Sequence, residues 1–527
     1  MVLQPLPFHP PRADHAVHPT LSPYVSAMTT PPLRVARSAA RFIAACTLLA
    51  TLPACRSGTA PAAASRPAPS PTVAYGPSVR ELALADTVAE RTFRWFWETT
   101  DSTTGLAHDR WPKRDFSSVA SIGFALTAYP IGVERGWITR KHAARRTLVT
   151  LRYLWALPQG PEQADMGGYK GFFYHFLRYE DGRRYKDVEL STIDTSLLLG
   201  GVLFAQSYYS QGDSSEVAIR AVADSIYRRV DWPWVVARAP LVSMGWTPES
   251  GFIRADWTGY NEGMIVYILG LGSPTHPLQS ESWAAWSRTN QWREYRGQAH
   301  ANFSPLFGHQ YSHVWIDFRG IQDRWILEKG IDWFENSRRA TLSQREYAIA
   351  NPRGFTGYGD DIWGLTASDG PADTLVSING RPVQLHTYWA RGASADGDPH
   401  GSERDDGTIA PTAAIGSLPF APEVAFPAMV AMRERYGSML FGRYGFRDSF
   451  NPSLVTPMPV RMGRIEPGLG WVAGDHLGID QGPILAMLEN YRSELVWNVM
   501  RTNPHIIRGL RRAGFTGGWL DSTHMRL

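Results

Sequence analysis

Two kinds of helical pattern alternate along the chain from about residue 78 onward. In the first kind, charged and apolar residues recur at helical spacing, which predicts amphipathic helices at 79–99, 139–157, 214–229 and 323–349. The second kind is mostly or almost purely apolar, as in 118–135, 192–210, 257–277, 422–436 and 480–498. Because helices that are apolar all round are buried and amphipathic helices cover them, the alternation predicts two layers.

Repeated pairs of a buried and a covering helix in one long domain fit an all-α fold, an α/α toroid whose inner helices are wrapped by outer ones. The pairs have no fixed sequence period, so a solenoid is not predicted. The intervals 158–190, 231–260 and 351–421 are rich in Gly, Pro, Asp and aromatic residues. They predict loops and short hairpins, and loops on a rigid scaffold often carry function.

Acidic residues precede several of the apolar segments. Because the inner helices of a toroid run parallel, residues just before them should converge on one face. The acids in these positions are Asp187, Glu189, Asp194, Glu262, Glu423, Asp475 and Asp480. Acids are also ordinary first-turn residues that the helix dipole stabilises, so a capping role is the alternative for each.

Paired carboxyl groups across a cleft are what glycoside hydrolysis needs: one protonates the leaving oxygen and the other activates water or attacks directly. Sugar rings also need aromatic platforms nearby. The aromatic residues in the adjacent loops are Trp246, Trp257, Tyr260, Trp363 and Trp471. Each of them could instead serve only in packing.

A metal site is not predicted. His309 and His313 are four residues apart, as in metalloprotease zinc sites, but Gln310 replaces the glutamate that acts there as general base. Contacts to a sugar, or packing, are the expected roles of these residues. Asp360 and Asp361 could form a turn, a calcium contact or a substrate contact, but further oxygen ligands at regular spacing are missing. We therefore predict neither a metal nor a cofactor.

Charge excludes a nucleic-acid partner. The chain has 527 residues and a formal charge of +4, but residues 1–77 hold six Arg against the single acid Asp14. The remainder has 47 basic and 48 acidic residues. A nucleic-acid-binding protein should concentrate basic charge, and this domain does not.

The N-terminal segment resembles a bacterial lipoprotein signal. Arg34, Arg37 and Arg41 form a basic region, and an apolar core follows over 42–52, too short for a stable transmembrane helix. The segment ends in Leu-Pro-Ala-Cys, which makes Cys55 the predicted lipidation site. An ordinary secretory signal cut nearby is the alternative, and Met28 is a second possible start.

Three regions follow from this reading: an extension with a signal peptide at 1–55, an Ala/Pro/Ser-rich linker at 56–77, and one domain at 78–527. Both cysteines, Cys46 and Cys55, lie in the first region, so the domain has none for disulfides or thiol chemistry. We predict an exported protein, periplasmic or at the cell surface, whose membrane contact is a lipid anchor. It is expected to be a monomer.

Six segments carry a resemblance to a known family: "VELSTIDTSLLLGG", "GYNEGMIVYILGLGSPTHP", "LFGHQYSHVWIDFRG", "GYGDDIWGLTASDGP", "GTIAPTAAIGSLPFAPE" and "GDHLGIDQGPILAMLENY". Together they resemble the bacterial glucoamylase-like domain family, which includes β-1,2-glucanases of glycoside hydrolase family 144. The resemblance covers roughly residues 80–520. It implies an (α/α)6 barrel and hydrolysis of a β-glucan, most of all β-1,2-glucan, with inversion.

On this basis Glu262 is predicted to be the general acid, and Glu189 or Asp194 to position or activate water. Asp480 and Asp475 would bind sugar hydroxyls or share the role of base. The further substrate-binding candidates are Asp187, Trp257, Tyr260, His309, Gln310, His313, Asp361, Trp363, Glu423 and His476. The alternatives are a transglycosylase at the same site, and a lipid-anchored glycan-binding protein without catalysis.

The predicted acid raises a physical question. A helix N-terminus favours the ionised form of a carboxyl group, which suits a base, whereas an acid catalyst needs a raised pKa. Desolvation beside Trp257 and Tyr260, or neighbouring carboxylates, could supply that rise at Glu262.

Overall fold

The computed structural model describes residues 75–398, 401 and 403–523. The predicted signal segment, Cys55 and most of the linker lie outside the described residues. In the described part, helices that combine the length and the apolar character needed to cross a membrane are absent.

The described residues form helices and short antiparallel strands. The helices are α1 (Val79–Thr99), α2 (Val119–Glu134), α3 (Arg140–Ala156), α4 (Thr192–Tyr208), α5 (Ser214–Arg228), α6 (Met264–Gly272), α7 (Ser280–Ser287), α8 (Phe307–Trp315), α9 (Arg324–Leu327), α10 (Trp333–Ala350), α11 (Pro411–Ile415), α12 (Pro422–Leu440), α13 (Gly478–Ser493), α14 (Leu495–Met500), α15 (Pro504–Arg512) and α16 (Gly518–Asp521). A 3-10 helix spans Trp232–Val235.

The strands have two to five residues each. They are β1 (Arg110–Trp111), β2 (Ser117–Ser118), β3 (Gly168–Tyr169), β4 (Phe172–Phe173), β5 (Phe176–Leu177), β6 (Leu190–Ser191), β7 (Gly245–Thr247), β8 (Gly251–Phe252), β9 (Trp292–Tyr295), β10 (Gln298–Ala301), β11 (Ala367–Ser368), β12 (Thr374–Ile378), β13 (Arg381–Leu385), β14 (Trp389–Ala390), β15 (Gly392–Ala393), β16 (Glu403–Arg404), β17 (Phe441–Gly442), β18 (Gly445–Phe446), β19 (Phe450–Asn451), β20 (Arg464–Glu466), β21 (Gly470–Val472) and β22 (His476–Leu477).

The apolar helices form the interior. Nearly every residue of α2, α4, α6, α8, α11 and α13 is buried. α2 packs against α4 and α13, α6 against α4 and α8, and α13 against α8 and α11. Gln310 links α8 to α11, because its side-chain amide donates to the Ala413 carbonyl at 2.8 Å and to Ser417 Oγ at 2.8 Å.

The amphipathic helices cover this interior as predicted. α1 packs on α2 and α13, α3 and α5 pack on each other beside α4, α15 packs on α6, and α10 packs on α8. α2 and α4 approach each other closely. A Cβ at Gly201 would lie 2.0 Å from the Gly123 carbonyl oxygen, so both positions need glycine.

The helix within the apolar segment 257–277 runs from Met264 to Gly272, and Glu262 lies in the turn just before it, as predicted. Two other predictions are wrong. The segment near residue 422 is an outer helix, α12, and the inner helix beside it is α11, inside an interval predicted to be loop. The helix near residue 480 begins at Gly478 and ends before Glu494, which adopts a left-handed conformation.

Three inner helices start in the same way. β2, β6 and β22 run directly into α2, α4 and α13. The residues at the junctions, Ser118, Ser191 and Leu477, have φ of −103°, −103° and −101° and ψ of 132°, 129° and 132°. Each of these strands is paired with a neighbour that brings loop residues to the helix N-terminus.

Candidate active site

A cavity of about 180 Å³ lies at the N-terminal ends of α2, α4 and α13. Its apolar lining comes mainly from Phe116, Phe176, Leu197, Leu477 and Ile479. Its polar lining is Asp109, Arg110, Ser118, His175, Asp194, Tyr311 and Tyr388. Polar groups converging in a largely apolar cavity are the usual form of a small-molecule site.

His175 bridges two of the predicted catalytic acids. Its Nδ1 lies 2.8 Å from Glu189 Oε1 and its Nε2 lies 3.5 Å from Asp194 Oδ1. Burial lowers the pKa of His175, but the charges of Asp194 and Glu189 outweigh burial and raise it to about 9. The two acids thus favour the protonated form of the ring that lies between them.

Asp194 is held at both oxygens. Ser191 Oγ donates to its Oδ2 at 2.5 Å, while Oδ1 faces His175. Burial raises the pKa of Asp194, whereas His175 and the Ser191 hydroxyl act in the opposite direction. The Ser191 hydroxyl also caps α4 by accepting from the Asp194 amide at 3.1 Å, which fixes the position of this acid on the first turn.

A second cation lies in the cavity wall. Arg110 donates to Asp109 at 3.0 Å and to both oxygens of Asp369 at 3.2 and 3.1 Å. Burial, together with the charges of Asp448 and Asp475, raises the pKa of Asp369 to about 7, although Arg110 acts against the rise. The loop carboxylates thus surround a guanidinium that is already paired.

Asp448 and Asp480 form a carboxyl pair behind the cavity. Burial and the adjacent Asp448 raise the pKa of Asp480 well above its usual range. The charge of Asp448 favours the protonated form of Asp480, as in other close carboxyl pairs whose two members cannot both ionise. The Asp369 amide donates to Asp448 Oδ2 at 2.7 Å and fixes the far side of the pair.

Two tyrosine hydroxyls lie among these acids. Burial raises the pKa of Tyr311 well above its usual range, and the charges of Asp480, Glu262 and Asp194 add to the rise. Burial and the charge of Asp480 also raise the pKa of Tyr388 well above its usual range. Tyr311 lines the cavity, and Glu262 is close enough for its charge to act on the Tyr311 hydroxyl.

Glu262 itself is fully buried and lies outside the cavity lining. It precedes α6, whose N-cap is Gly263, so it is not the capping residue. Its backbone carbonyl accepts from Ser312 Oγ at 3.2 Å, beside Tyr311 on α8.

The structure brings together Glu189, Asp194 and Asp480 of the predicted catalytic acids, with Asp475 close by. Asp475 accepts from the Lys113 amide at 3.2 Å, and its charge acts on Arg110 and Asp369. His476 is buried on β22, which pairs with β1, and burial lowers its pKa to about 4. Asp187, in contrast, is exposed.

The remaining predicted substrate contacts are interior packing groups or lie elsewhere. Trp257 donates to Thr192 Oγ1 at 2.9 Å, and Tyr260 stacks on Trp333 with the ring centroids 4.9 Å apart. His309, Gln310, His313 and Trp363 are fully enclosed. Asp361 lines a surface groove with Ser78 and Glu434, and Glu423 pairs with Arg338 on the outer layer at 2.5 Å. These placements favour the packing alternative for the aromatic residues.

Sequence reasoning missed Asp109, Arg110, His175, Asp369, Asp448, Tyr311 and Tyr388. Tyr311 and Asp369 lie inside two of the segments that carry the family resemblance, so a signal for them was present. Asp448, Tyr388 and His175 reach the site through loop contacts that no local spacing reveals.

Comparisons with known proteins show which family the chain resembles. The Glycoamylase family model, described as "Putative glucoamylase", matches residues 254–504. A crystal structure from Bacteroides uniformis, described in the same words, is 31% identical with a TM-score of 0.71, and the match covers 85% of this chain and 100% of that one. The chain belongs to the glucoamylase-like family.

Two relatives have more specific names. The exo β-1,2-glucooligosaccharide sophorohydrolase (non-reducing end) of Parabacteroides distasonis is 30% identical over 463 residues, which are 81% of this chain and 57% of that protein. The chain thus spans little more than half the length of this curated relative. The endo-β-1,2-glucanase of Chitinophaga pinensis, solved with sophorotriose and glucose, is 28% identical with a TM-score of 0.70, covering 84% of this chain and 100% of that one.

Proposed function

We propose that the protein hydrolyses β-1,2-glucan by acid/base catalysis in the cavity at the N-termini of α2, α4 and α13. The observation that carries the proposal is the placement of Asp194, whose two oxygens face Ser191 and His175, in a cavity lined by Tyr311, on whose hydroxyl the charges of Glu262 and Asp480 act. A glycoside hydrolase of this kind needs two carboxyl groups with different roles. One is a carboxylate that accepts a proton, and the other holds a proton that it can donate. The names of the two glucanase relatives support β-1,2-glucan as the substrate.

Asp194 is the proposed acceptor for the attacking water, directly or through a sugar hydroxyl. Glu262 remains the proposed proton donor. The alternative donor is Asp480, whose pKa is raised by burial and by the charge of Asp448. Asp480 and Asp448 are instead proposed to bind sugar hydroxyls near Tyr388.

We further propose that the inner and outer helices close into an (α/α)6 barrel and that hydrolysis inverts the anomeric centre. The packing of α2, α4, α6, α8, α11 and α13 supports the first point. The second point rests on the family resemblance. It requires a separation of about 6.5–9.5 Å between the carboxyl groups of Glu262 and Asp194, which leaves room for water.

Export and lipidation at Cys55, with the mature protein acting as a monomer, complete the proposal. The basic and apolar segments before Cys55 support it. Expression of the full chain in a bacterial host with labelled fatty acid tests it, with Cys55→Ala as the control. Label on the wild type but not on C55A is expected, whereas label on neither contradicts lipidation.

Product analysis on linear β-1,2-glucan tests the activity itself. Short oligosaccharides are the expected products, released as the inverted anomer in a proton NMR time course. Rings or lengthened chains would identify a transglycosylase. Binding without any change in the glucan would identify a glycan-binding protein.

A further inference from the structure

The contacts of His175 indicate a role beyond packing. Its backbone amide donates to the Glu189 carbonyl at 2.9 Å, and its carbonyl accepts from the Val119 amide at 3.3 Å. The backbone of His175 therefore joins the segment before α4 to the start of α2. Its ring lines the cavity and stacks on Phe176 with the centroids 3.9 Å apart.

Each ring nitrogen faces a carboxylate. Nδ1 faces Glu189 at 2.8 Å and Nε2 faces Asp194 at 3.5 Å. An ionised carboxylate only accepts hydrogen bonds, and a neutral imidazole has a single N–H to donate. A neutral ring would thus leave one nitrogen lone pair against a carboxylate, whereas the imidazolium donates to both.

We propose that His175 is a positioning residue: as an imidazolium it donates to Glu189 and Asp194 together, and so holds Asp194 as an ionised acceptor toward the sugar or the attacking water. Asp194 is turned so that Ser191 occupies Oδ2 and His175 faces Oδ1. The remaining lone pairs of these oxygens are the ones that a substrate hydroxyl or water can use. The inference rests on the proposed hydrolytic function and assigns a part of the machinery that it needs.

The other charges that face His175 do not replace this cation. Asp109 adds a third negative charge from the β1 segment, and it also acts on the ring. Arg110 lines the same cavity, but its guanidinium is bound to Asp109 and Asp369. Removal of the imidazolium would therefore leave Glu189 and Asp194 without a cation between them.

Nitrogen-15 NMR of histidine-labelled protein measures the protonation state of the His175 ring directly. At pH 7.5 we expect one histidine with both ring nitrogens protonated, a signal that is absent from His175→Gln. His505→Gln is the matched control, because His505 is also buried but lies on the outer helix α15 with a single carboxylate, Asp224, at 3.6 Å. A neutral His175 at pH 7.5 would overturn the inference.

Kinetics then tests the effect on Asp194. H175Q is expected to lower kcat on β-1,2-glucan by about 10²-fold, the size of effect that a misplaced catalytic group produces, with a smaller change in KM. The wild-type fall in kcat at alkaline pH should be missing from H175Q and present in H505Q. Equal pH profiles for wild type and H175Q would contradict the inference.

The two proposals fail separately. If the wild type leaves β-1,2-glucan unchanged, the proposed function fails, while the NMR signal still decides whether His175 is the bridging cation. If the wild type hydrolyses the glucan but His175 is neutral, only the inference about His175 fails.

Discussion

Asp194 and Asp480 are both the third residue of an inner helix, and both helices pack against α2. The same backbone conformation leads into each helix, so the two carboxyl groups start from equivalent positions. Their partners make them different. Burial raises the pKa of both groups, but at Asp194 the partners His175 and Ser191 oppose the rise, whereas at Asp480 the neighbouring Asp448 adds to it.

The first prediction separates the two possible proton donors. Hydrolysis of an aryl β-sophoroside with an activated leaving group needs little protonation of the leaving oxygen. A variant of the general acid should therefore retain activity on this substrate. We expect Glu262→Gln to lose about 10²–10⁴-fold on β-1,2-glucan, the usual contribution of acid catalysis, and far less on the aryl substrate. Asp480→Asn should lose activity on both substrates.

Asp323→Asn is the control for these carboxyl variants. Asp323 is also buried, but it accepts from the indole nitrogens of Trp283 and Trp333, away from the cavity. D323N should lower thermal stability and leave turnover of the folded enzyme intact. If D480N, and not E262Q, retains activity on the aryl substrate, then Asp480 is the general acid.

A second prediction concerns the tyrosine hydroxyls. Tyr388→Phe removes a hydroxyl that lines the cavity and leaves the ring in place. We expect kcat/KM to fall about tenfold, which corresponds to the loss of one hydrogen bond of about 1.4 kcal/mol. Tyr227→Phe is the control, because the Tyr227 hydroxyl bonds the Leu269 carbonyl at 2.7 Å in the interior. An equal effect on kcat/KM from both variants would contradict a substrate contact at Tyr388.

The helical scaffold could be predicted from the sequence because helix period and burial are local signals. The apolar stretch of α4 and the charged stripe of α5 each specify their own layer. Glu262 and Asp480 became candidates by the same rule, since each stands near the start of an apolar helix.

The loop contribution to the site could not be predicted in this way. Asp448 meets Asp480, and Arg110 meets Asp369, across 32 and 259 residues of chain, so the contacts depend on tertiary packing. The prediction for the aromatic residues relied on nearness in sequence, which does not show where a side chain packs. Trp257 and Tyr260 lie next to a site acid in sequence, yet their rings fill the space between helices.

A third prediction concerns the buried ion pair that anchors the loop before α11. Arg391 donates to both oxygens of Asp406 at 2.7 and 2.8 Å and to the carbonyls of Ser368 and His386, and both charged side chains are fully buried. Lysine cannot reproduce this planar set of donors. Arg391→Lys should destabilise the fold by about 3 kcal/mol or more, as does breaking a buried pair.

Because His386 lies two residues before Tyr388, R391K should also lower kcat/KM. The matched control is Arg238→Lys, at a more exposed pair in which Arg238 bonds Asp256 at 2.6 and 2.8 Å. That change should cost at most about 1 kcal/mol. Chemical denaturation measures both free energies of unfolding, and equal losses would contradict the anchoring role.

The last prediction is a pH dependence of stability. The pKa of His175 is about 9 in the folded protein, above the ordinary histidine value of 6.5. Folding therefore favours the protonated ring, so its contribution is complete below pH 6.5 and is lost as the pH rises through 9. The shift corresponds to about 3 kcal/mol. The difference in unfolding free energy between wild type and H175Q should shrink by this amount between pH 6.5 and 9.5. Denaturation curves for H505Q should stay parallel to those of the wild type, because burial lowers the pKa of His505 to about 4 and keeps it neutral over that range.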